Sequence, residues 1–173
     1  MPRPVPGDYG EFFANYIALV PEEEILAAMA VQLDEMLSLL SSVSEAVSLV
    51  RHAPYTWSTR EVLGHLIDGE RIFTYRALRI GRGDKTPLPS FDENTFAVAG
   101  TFDRIPLKDL IHEFDSVRRA SLSLFRHFPE EAWTNRGIVS GHEIATRALA
   151  YITVGHVRHH GAILKKRLAI GIE

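Results

Sequence analysis

The sequence contains no cysteine among its 173 residues. This absence excludes disulfide bonds, thiolate zinc sites and cysteine nucleophiles, so any metal ion must be bound by His, Asp or Glu. The chain also lacks the run of ~18 apolar residues that a membrane helix needs, because Arg147 and His156 interrupt the most apolar stretch. The start, MPRPVPGDYG, has no apolar segment of the kind found in signal peptides. We therefore expect a soluble, cytoplasmic protein that does not bind membranes.

A strong charge of one sign is absent as well. The 19 Lys and Arg residues against 22 Asp and Glu residues give a net charge of −3, and the basic residues are scattered among acidic ones. The KKRL segment near the end is too short to form a nucleic-acid surface. We expect no nucleic-acid partner.

Four long segments with apolar residues at helical spacing predict an all-α four-helix bundle. The expected starts of these helices are Pro21, Ser58, Pro106 and Ser140. In the second and fourth segments a glutamate lies three residues after the serine, which is the pattern of a capping box. No strand pattern is evident in the chain.

The remaining segments complete a single predicted domain over residues 1–173. Residues 1–20 form an N-terminal extension with a short helix in YGEFFANYIALV, and residues 22–168 form the bundle. The link 82–105 between the second and third long helices is too long for a passive connection, so it is a candidate active-site loop. Phe91, Asp92 and Asn94 either line a pocket there or serve in ordinary loop packing.

Three of the eight histidines fall within GHVRHH, residues 155–160. His156 and His160 continue the apolar stripe of the fourth helix, and residues four apart lie about 6 Å from each other on one face. Two imidazoles so placed can bind one metal ion, although such pairs also occur on solvated helices. His159 is the alternative partner of His156, but its position favours the edge of the bundle.

A third histidine strengthens the metal hypothesis. His65 lies beside Val62 and Leu66 on the inner face of the second helix. One buried histidine is readily explained by a hydrogen bond, whereas three inward histidines on two helices are better explained by a metal ion. Asp68 either accepts a ring N–H from one of these histidines, which would fix the tautomer, or faces solvent.

Three stretches, WSTREVLGHLIDGER, PSFDENTFA and GHVRHHGAILKKRL, resemble the DinB-like/YfiT-like four-helix family over about residues 22–168. The resemblance implies an up-up-down-down bundle, usually a homodimer, with a divalent metal ion, often nickel or zinc. Position by position, it implies that His65, His156 and His160 bind the ion. The same superfamily contains bacillithiol-using S-transferases and mycothiol-dependent maleylpyruvate isomerases. The isomerases resemble the chain less well, because they typically carry glutamate at the position of His156 and often a second domain.

Two functions follow from this reasoning. The first is a metal-dependent enzyme that hydrolyses a small electrophilic substrate or transfers a low-molecular-weight thiol to it. A divalent ion lowers the pKa of a water or thiol, and the thiol would be a co-substrate because the chain has no cysteine. The second is a non-catalytic, stress- or damage-induced metal-binding dimer, which needs no open coordination position. For the dimer, we expect FFANYIALV to pack across a two-fold interface, since it has no evident place in a four-helix core.

Overall fold

Four long helices form the body of the protein, as expected. The structure, a computed structural model, describes residues 2–170, so Met1 and residues 171–173 of the predicted domain lie outside it. The long helices are α2 (Ile25–Ser41), α4 (Thr59–Gly81), α6 (Leu107–Arg126) and α7 (Thr146–Ile170). Three short helices precede or connect them: α1 (Ala14–Ala18), α3 (Glu45–Ser48) and α5 (Glu93–Gly100). Single 3-10 turns occur at Glu11–Phe13, Phe102–Arg104 and Glu130–Thr134.

The predicted capping box at the start of α4 is confirmed. The Ser58 hydroxyl accepts a hydrogen bond from the Glu61 N–H at 3.1 Å, and the Glu61 carboxylate accepts one from the Ser58 N–H at 2.7 Å. These bonds satisfy two donors that the first turn of a helix leaves free. The start of the helix that carries His65 is therefore fixed by local sequence.

The second predicted capping box, at Ser140, is wrong. Strands β1 (Arg136–Val139) and β2 (His142–Ala145) form an antiparallel hairpin there, and α7 begins only at Thr146. Ser140 and Gly141 both have positive φ, at 52° and 83°, as a two-residue hairpin turn of this kind requires. Glu143 pairs with Arg136 across the hairpin instead of capping a helix.

Two apolar clusters show how the long helices run. The first cluster contains the start of α2, the ends of α4 and α6 and the start of α7. The second contains the end of α2, the starts of α4 and α6 and the end of α7. The order is therefore up-down-down-up, which differs from the up-up-down-down order that the resemblance implied. Both α2 and α4 pack against α6 and α7.

This order explains the length of the link between α4 and α6. Because neighbouring helices α4 and α6 are parallel, the chain must return along the whole bundle between Gly81 and Leu107. The link was predicted as a loop, but it contains α5, and Leu88 pairs with Val139 of the hairpin. The link is thus a structured crossover between parallel helices.

A buried polar layer separates the two apolar clusters. Glu70 accepts hydrogen bonds from Arg118 at 2.8–3.0 Å, and Arg118 also donates to Gln32 at 2.7 Å. Gln32 in turn donates to the Val154 carbonyl of α7 at 2.9 Å, so the network links all four long helices. His156 follows Val154 by two residues and lies at the same level.

The N-terminal segment packs against its own chain. Arg3 donates hydrogen bonds to the carbonyls of Ile17 and Val20, and α1 lies along α7. The segment, which had no evident place in a four-helix core, thus contributes Ile17 and Val20 to the first apolar cluster of its own chain. None of the helices in residues 2–170 combines the length and the apolar character needed to cross a bilayer.

Candidate metal centre

His65, His156 and His160 converge between antiparallel helices α4 and α7. Each offers one ring nitrogen as a ligand atom, and these three nitrogens lie within 4.8 Å of one another. The Nε2 atoms of His65 and His156 are 2.8 Å apart, and the ring centres of the three pairs are 4.7–4.9 Å apart. The structure thus brings together the three side chains that sequence spacing selected.

Glycines allow the elements around this cluster to approach closely. A Cβ atom on Gly69 would lie 3.0 Å from Cε1 of His156, so the imidazole rests directly on the α4 backbone. A Cβ atom on Gly155 would lie 2.1 Å from the carbonyl oxygen of Tyr16, so α1 contacts the α7 backbone just before His156. His156 is therefore held between α4 on one side and α1 next to its own backbone on the other.

Aromatic side chains hold the imidazoles in place. The Trp57 ring lies 5.0 Å from the His65 ring, and the Phe73 ring lies edge-on to His156 at 5.5 Å. Tyr16 contacts both His156 and His159 edge-on, at 5.5 and 5.6 Å. These contacts restrict ring rotation on the side away from the cluster.

The cluster favours neutral imidazoles. Burial lowers the pKa of His160 to about 3, with a further contribution from the charges of His65 and His159. Burial also lowers the pKa of His156 well below its ordinary value. The pKa of His65 is lowered by burial too, although the nearby Glu93 carboxylate partly offsets the effect. Neutral imidazoles are the form that binds metal ions.

His159 and Asp68 lie outside the cluster. His159 is exposed, and its ring centre is 4.9 Å from that of His160. The Asp68 carboxylate lies 4.0 Å from the Arg71 guanidinium, and it makes no hydrogen bond to a histidine within residues 2–170. The predicted role of Asp68 in fixing a tautomer has no support in this geometry.

A cavity of about 670 Å³ opens onto the three histidines. Its walls come largely from outside the long helices. The N-terminal segment supplies Phe12, Phe13 and Tyr16, the link supplies Phe91, Glu93 and Asn94, and the hairpin supplies Val139, Ser140 and His142. Of the predicted link residues, Phe91 and Asn94 line the cavity, whereas Asp92 caps α5 by accepting the Asn94 and Thr95 N–H groups.

Sequence reasoning missed three parts of this cavity, namely the hairpin, the N-terminal wall and Arg76. The N-terminal wall could have been suspected from the density of aromatic residues in YGEFFANY. Arg76 also lines the cavity, and it occupies a position on the apolar stripe of α4, between Phe73 and Ile80. A charged residue within an apolar stripe is the signal that would have found it.

The sequence profile of the DinB superfamily matches residues 28–164, more than three quarters of the chain. The chain belongs to the DinB superfamily. The matched residues include the three histidines and all four long helices except the start of α2 and the end of α7. No curated protein sequence matches the chain.

Solved structures show the same fold at low sequence identity. One is YfiT from Bacillus subtilis, described as a probable metal-dependent hydrolase with an unusual four-helix bundle topology. It superposes with a TM-score of 0.76 at 13% sequence identity, and the match covers 86% of this chain and 87% of YfiT. A mycothiol-dependent maleylpyruvate isomerase has a TM-score of 0.70 and 15% identity, and the match covers 83% of this chain and 60% of the isomerase. Its H52A mutant gives the same TM-score at 14% identity. The DinB chain therefore spans less than two thirds of the isomerase.

Proposed function

We propose that this DinB protein is a metal-dependent enzyme in which His65, His156 and His160 bind one divalent ion. In this proposal it hydrolyses a small electrophilic substrate or transfers a low-molecular-weight thiol to it. The observation that carries the proposal is the convergence of three imidazoles at the wall of a cavity of about 670 Å³. A purely structural site would need no such cavity.

The donor set fits a divalent metal ion. His65 and His156 are buried and His160 is half-buried, and within residues 2–170 the only hydrogen bond among these three rings joins His65 to His156. A metal ion would supply the remaining partner that buried ring nitrogens need. Imidazole nitrogens suit both nickel and zinc, which we propose as the ions. A site with three protein ligands leaves coordination positions for water and substrate.

The ion and the protein side chains would make different contributions to the reaction. A divalent ion in such a site lowers the pKa of a coordinating water or thiol. The thiol must come from a co-substrate because the chain has no cysteine. The side chains around the site keep the imidazoles oriented, and burial keeps them neutral.

Two relatives support these reaction types. YfiT is described as a probable metal-dependent hydrolase, and the isomerase depends on mycothiol, a thiol. Both likenesses are below 25% identity, so the proposal depends on the histidine cluster of this chain. We further propose that the protein acts in the cytoplasm.

We also propose a homodimer. Several large apolar side chains remain exposed in one chain, among them Val31 on α2 at 59% and Val98 on α5 at 78%. Burying such residues against a second copy would remove apolar surface from water. Light scattering should return twice the chain mass of 19.4 kDa, about 39 kDa, whereas 19.4 kDa at micromolar concentration would contradict the dimer.

The test of the metal site begins with elemental analysis of protein purified without added metal. We expect about one nickel or zinc ion per chain in the wild type and a loss of stoichiometric metal in His65→Ala, His156→Ala and His160→Ala. His159→Ala is the matched control, because it removes a neighbouring histidine that lies outside the cluster. Full metal content in His65→Ala would overturn the three-histidine site.

The test of catalysis follows with metal-loaded protein. Esters, amides, epoxides and pairs of a thiol with an electrophile should be screened, with chelation expected to stop turnover and added metal to restore it. If no substrate class is turned over and the ion has a fourth protein ligand, the non-catalytic metal-binding bundle becomes the better account.

A further inference from the structure

Arg76 is buried in the cavity wall without an acidic partner. Its side chain is only 4% exposed, and its single hydrogen bond within residues 2–170 runs from Nη2 to the Pro89 carbonyl at 2.7 Å. The guanidinium lies 5.6 Å from the ring centre of Phe91. Burial lowers the pKa of Arg76, and no carboxylate counteracts this effect. A cation in this position lacks the compensation that buried charges ordinarily have.

Other buried arginines are compensated differently. Arg118 forms a bidentate pair with Glu70, and Arg60 pairs with Glu45. Arg167, near the end of α7, donates to two backbone carbonyls and lies over the Tyr55 ring, but it does not line the cavity. Arg76 alone among these four combines a missing anion with access to the cavity.

The position of Arg76 relates it to the histidines. It lies eleven residues after His65, which is three turns later on the same face of α4. Gly69, on which the His156 ring rests, precedes Arg76 by seven residues, or about 10 Å of helix rise. Two aromatic rings also line the cavity: Phe73 contacts His156, and Phe91 contacts Arg76. Imidazoles, a cation and aromatic surface thus line one cavity, with the cation three helical turns away from His65.

We propose that Arg76 binds the carboxylate of a largely apolar small-molecule substrate in this cavity. The inference rests on the proposed function, because it takes the cavity as the substrate site and names the class of substrate. Four of the five guanidinium N–H groups have no protein partner within residues 2–170, so a carboxylate can be bound by two parallel hydrogen bonds.

The other charges of the cavity favour a monoanion. Glu11 and Glu93 also line it and are exposed, and the Glu93 charge raises the pKa of Tyr16 in addition to the effect of burial. A phosphate dianion would be repelled by these two carboxylates more strongly than a carboxylate would. One carboxylate balances the single charge of Arg76.

The test uses the full chain freed of metal with a chelator, at about pH 8, where the three imidazoles of the cluster are neutral. The probes are benzoate, 2-naphthoate and 4-phenylbutyrate, each compared with its neutral amide and with phenyl phosphate by titration calorimetry. We expect at least one acid to bind about tenfold or more tightly than its amide and than phenyl phosphate. This preference should disappear in Arg76→Met and persist in Arg82→Met, which removes an exposed arginine from the end of the same helix.

A second measurement is made on the wild type, so it does not depend on whether Arg76→Met folds. In ¹H–¹⁵N spectra of the wild type, the Arg76 Nε–H resonance, assigned through Arg76→Lys, should shift with the acid and not with the amide. Equal binding of acids and amides by the wild type, or an acid preference retained in Arg76→Met, would overturn the proposal. An unshifted Arg76 resonance at saturation would also overturn it and leave the residue as an anchor for Pro89. Because metal is absent throughout, these results are separable from failure of the metal site.

Discussion

Gly69 sets the position of His156 at the scale of a single residue. An added Cβ would approach Cε1 of the imidazole to 3.0 Å and Nδ1 to 3.4 Å, so Gly69→Ala must displace the ring. Substitutions of the groups that orient a metal-binding side chain typically weaken metal affinity by about 10–100-fold. We expect a loss of this size in competition titrations with a chromophoric chelator.

Gly161→Ala is the matched control for this prediction. Gly161 directly follows His160, but a Cβ there would meet the flexible Met36 side chain, with Sδ at 3.1 Å. Both substitutions favour the helical state by up to about 1 kcal/mol, so neither should unfold the bundle. Equal metal affinity in the two variants would contradict the role of Gly69.

The candidate ligands could be predicted from the sequence, whereas their polar neighbours could not. His156 and His160 stand four residues apart on an apolar stripe, and His65 lies beside apolar residues, so helical periodicity alone places all three inward. Arg76 and Arg118 also lie on such stripes, but their surroundings come from other elements. The apolar pattern of a helix predicts that a charged side chain on its stripe is buried. It does not predict which residue of another element lies opposite that side chain.

At the scale of elements, the buried Glu70–Arg118 pair joins α4 to α6. Glu70 and Arg118 are 1% and 0% exposed, so removing only the carboxylate leaves a charge in an apolar interior. We expect Glu70→Gln to lower the free energy of unfolding by ~3–5 kcal/mol, measured by urea denaturation. The double substitution Glu70→Leu with Arg118→Met should recover most of this loss, because it removes both charges.

The pair between Arg71 and Glu113 provides the surface control. It joins the same two helices at 2.7 Å but is largely solvated. Glu113→Gln should therefore change the unfolding free energy by less than about 1 kcal/mol. A similar effect for Glu70→Gln and Glu113→Gln would show that the buried network does not stabilise the bundle.

Asp8 ties the N-terminal segment to the hairpin and to α7. Its carboxylate accepts hydrogen bonds from Arg136 and Arg147, both at 2.7 Å. Burial raises the pKa of Asp8, but hydrogen bonds from Val5 and Arg136 and the charge of Arg147 outweigh it, so the pKa lies below the ordinary value of 3.8. A lowered pKa in the folded state contributes stability above pH ~4, which is lost as the pH falls through the folded pKa.

Asp8→Asn should therefore reduce the free energy of unfolding by about 1–3 kcal/mol. The difference from the wild type should be the same at pH 7 and pH 5 and shrink below about pH 4, where the wild-type carboxyl becomes protonated. Denaturation series at these pH values measure it. A difference that already shrinks between pH 7 and pH 5 would show that Asp8 titrates above its ordinary range.

The hairpin shows why local pattern failed at one element. The spacing of Ser140 and Glu143 fits a capping box as well as that of Ser58 and Glu61 does. What differs is the partner, since Arg136 lies across the turn and Leu88 of the link pairs with Val139. The pairing of Leu88 with Val139 joins segments that are far apart in sequence, and a local rule does not include such a contact.

At the scale of the whole molecule, metal binding should stabilise the fold. An ion that binds only the folded state at a hundred times its dissociation constant adds about 2.7 kcal/mol. For a chain of this length that corresponds to a rise in Tm of roughly 5–10 °C. Thermal scans with and without zinc should show the rise in the wild type and not in His156→Ala; an equal rise in both would place the ion elsewhere.

The bundle itself could be predicted from four apolar stripes, but the helix directions could not. Apolar periodicity is the same for either direction of a helix, so only the connections carry that information. Here the link from Gly81 to Leu107 must return along the bundle, and its length is the one signal of parallel neighbours. The link was interpreted as a candidate active-site loop. It lines the cavity, but its length is set by the return along the bundle.

The metal-binding side chains and most of the cavity wall come from different parts of the chain. The histidines stand on α4 and α7, whereas most of the wall that meets a substrate comes from the N-terminal segment, the link and the hairpin. The N-terminal segment also precedes residue 28, where the family profile begins. Substitutions or insertions in the link and the hairpin can alter which molecules enter while the imidazoles keep their spacing, whereas Tyr16 of the N-terminal segment also holds His156. The link and the hairpin are therefore the segments to exchange among DinB proteins when the selectivity of the cavity is to be changed and the histidine cluster kept.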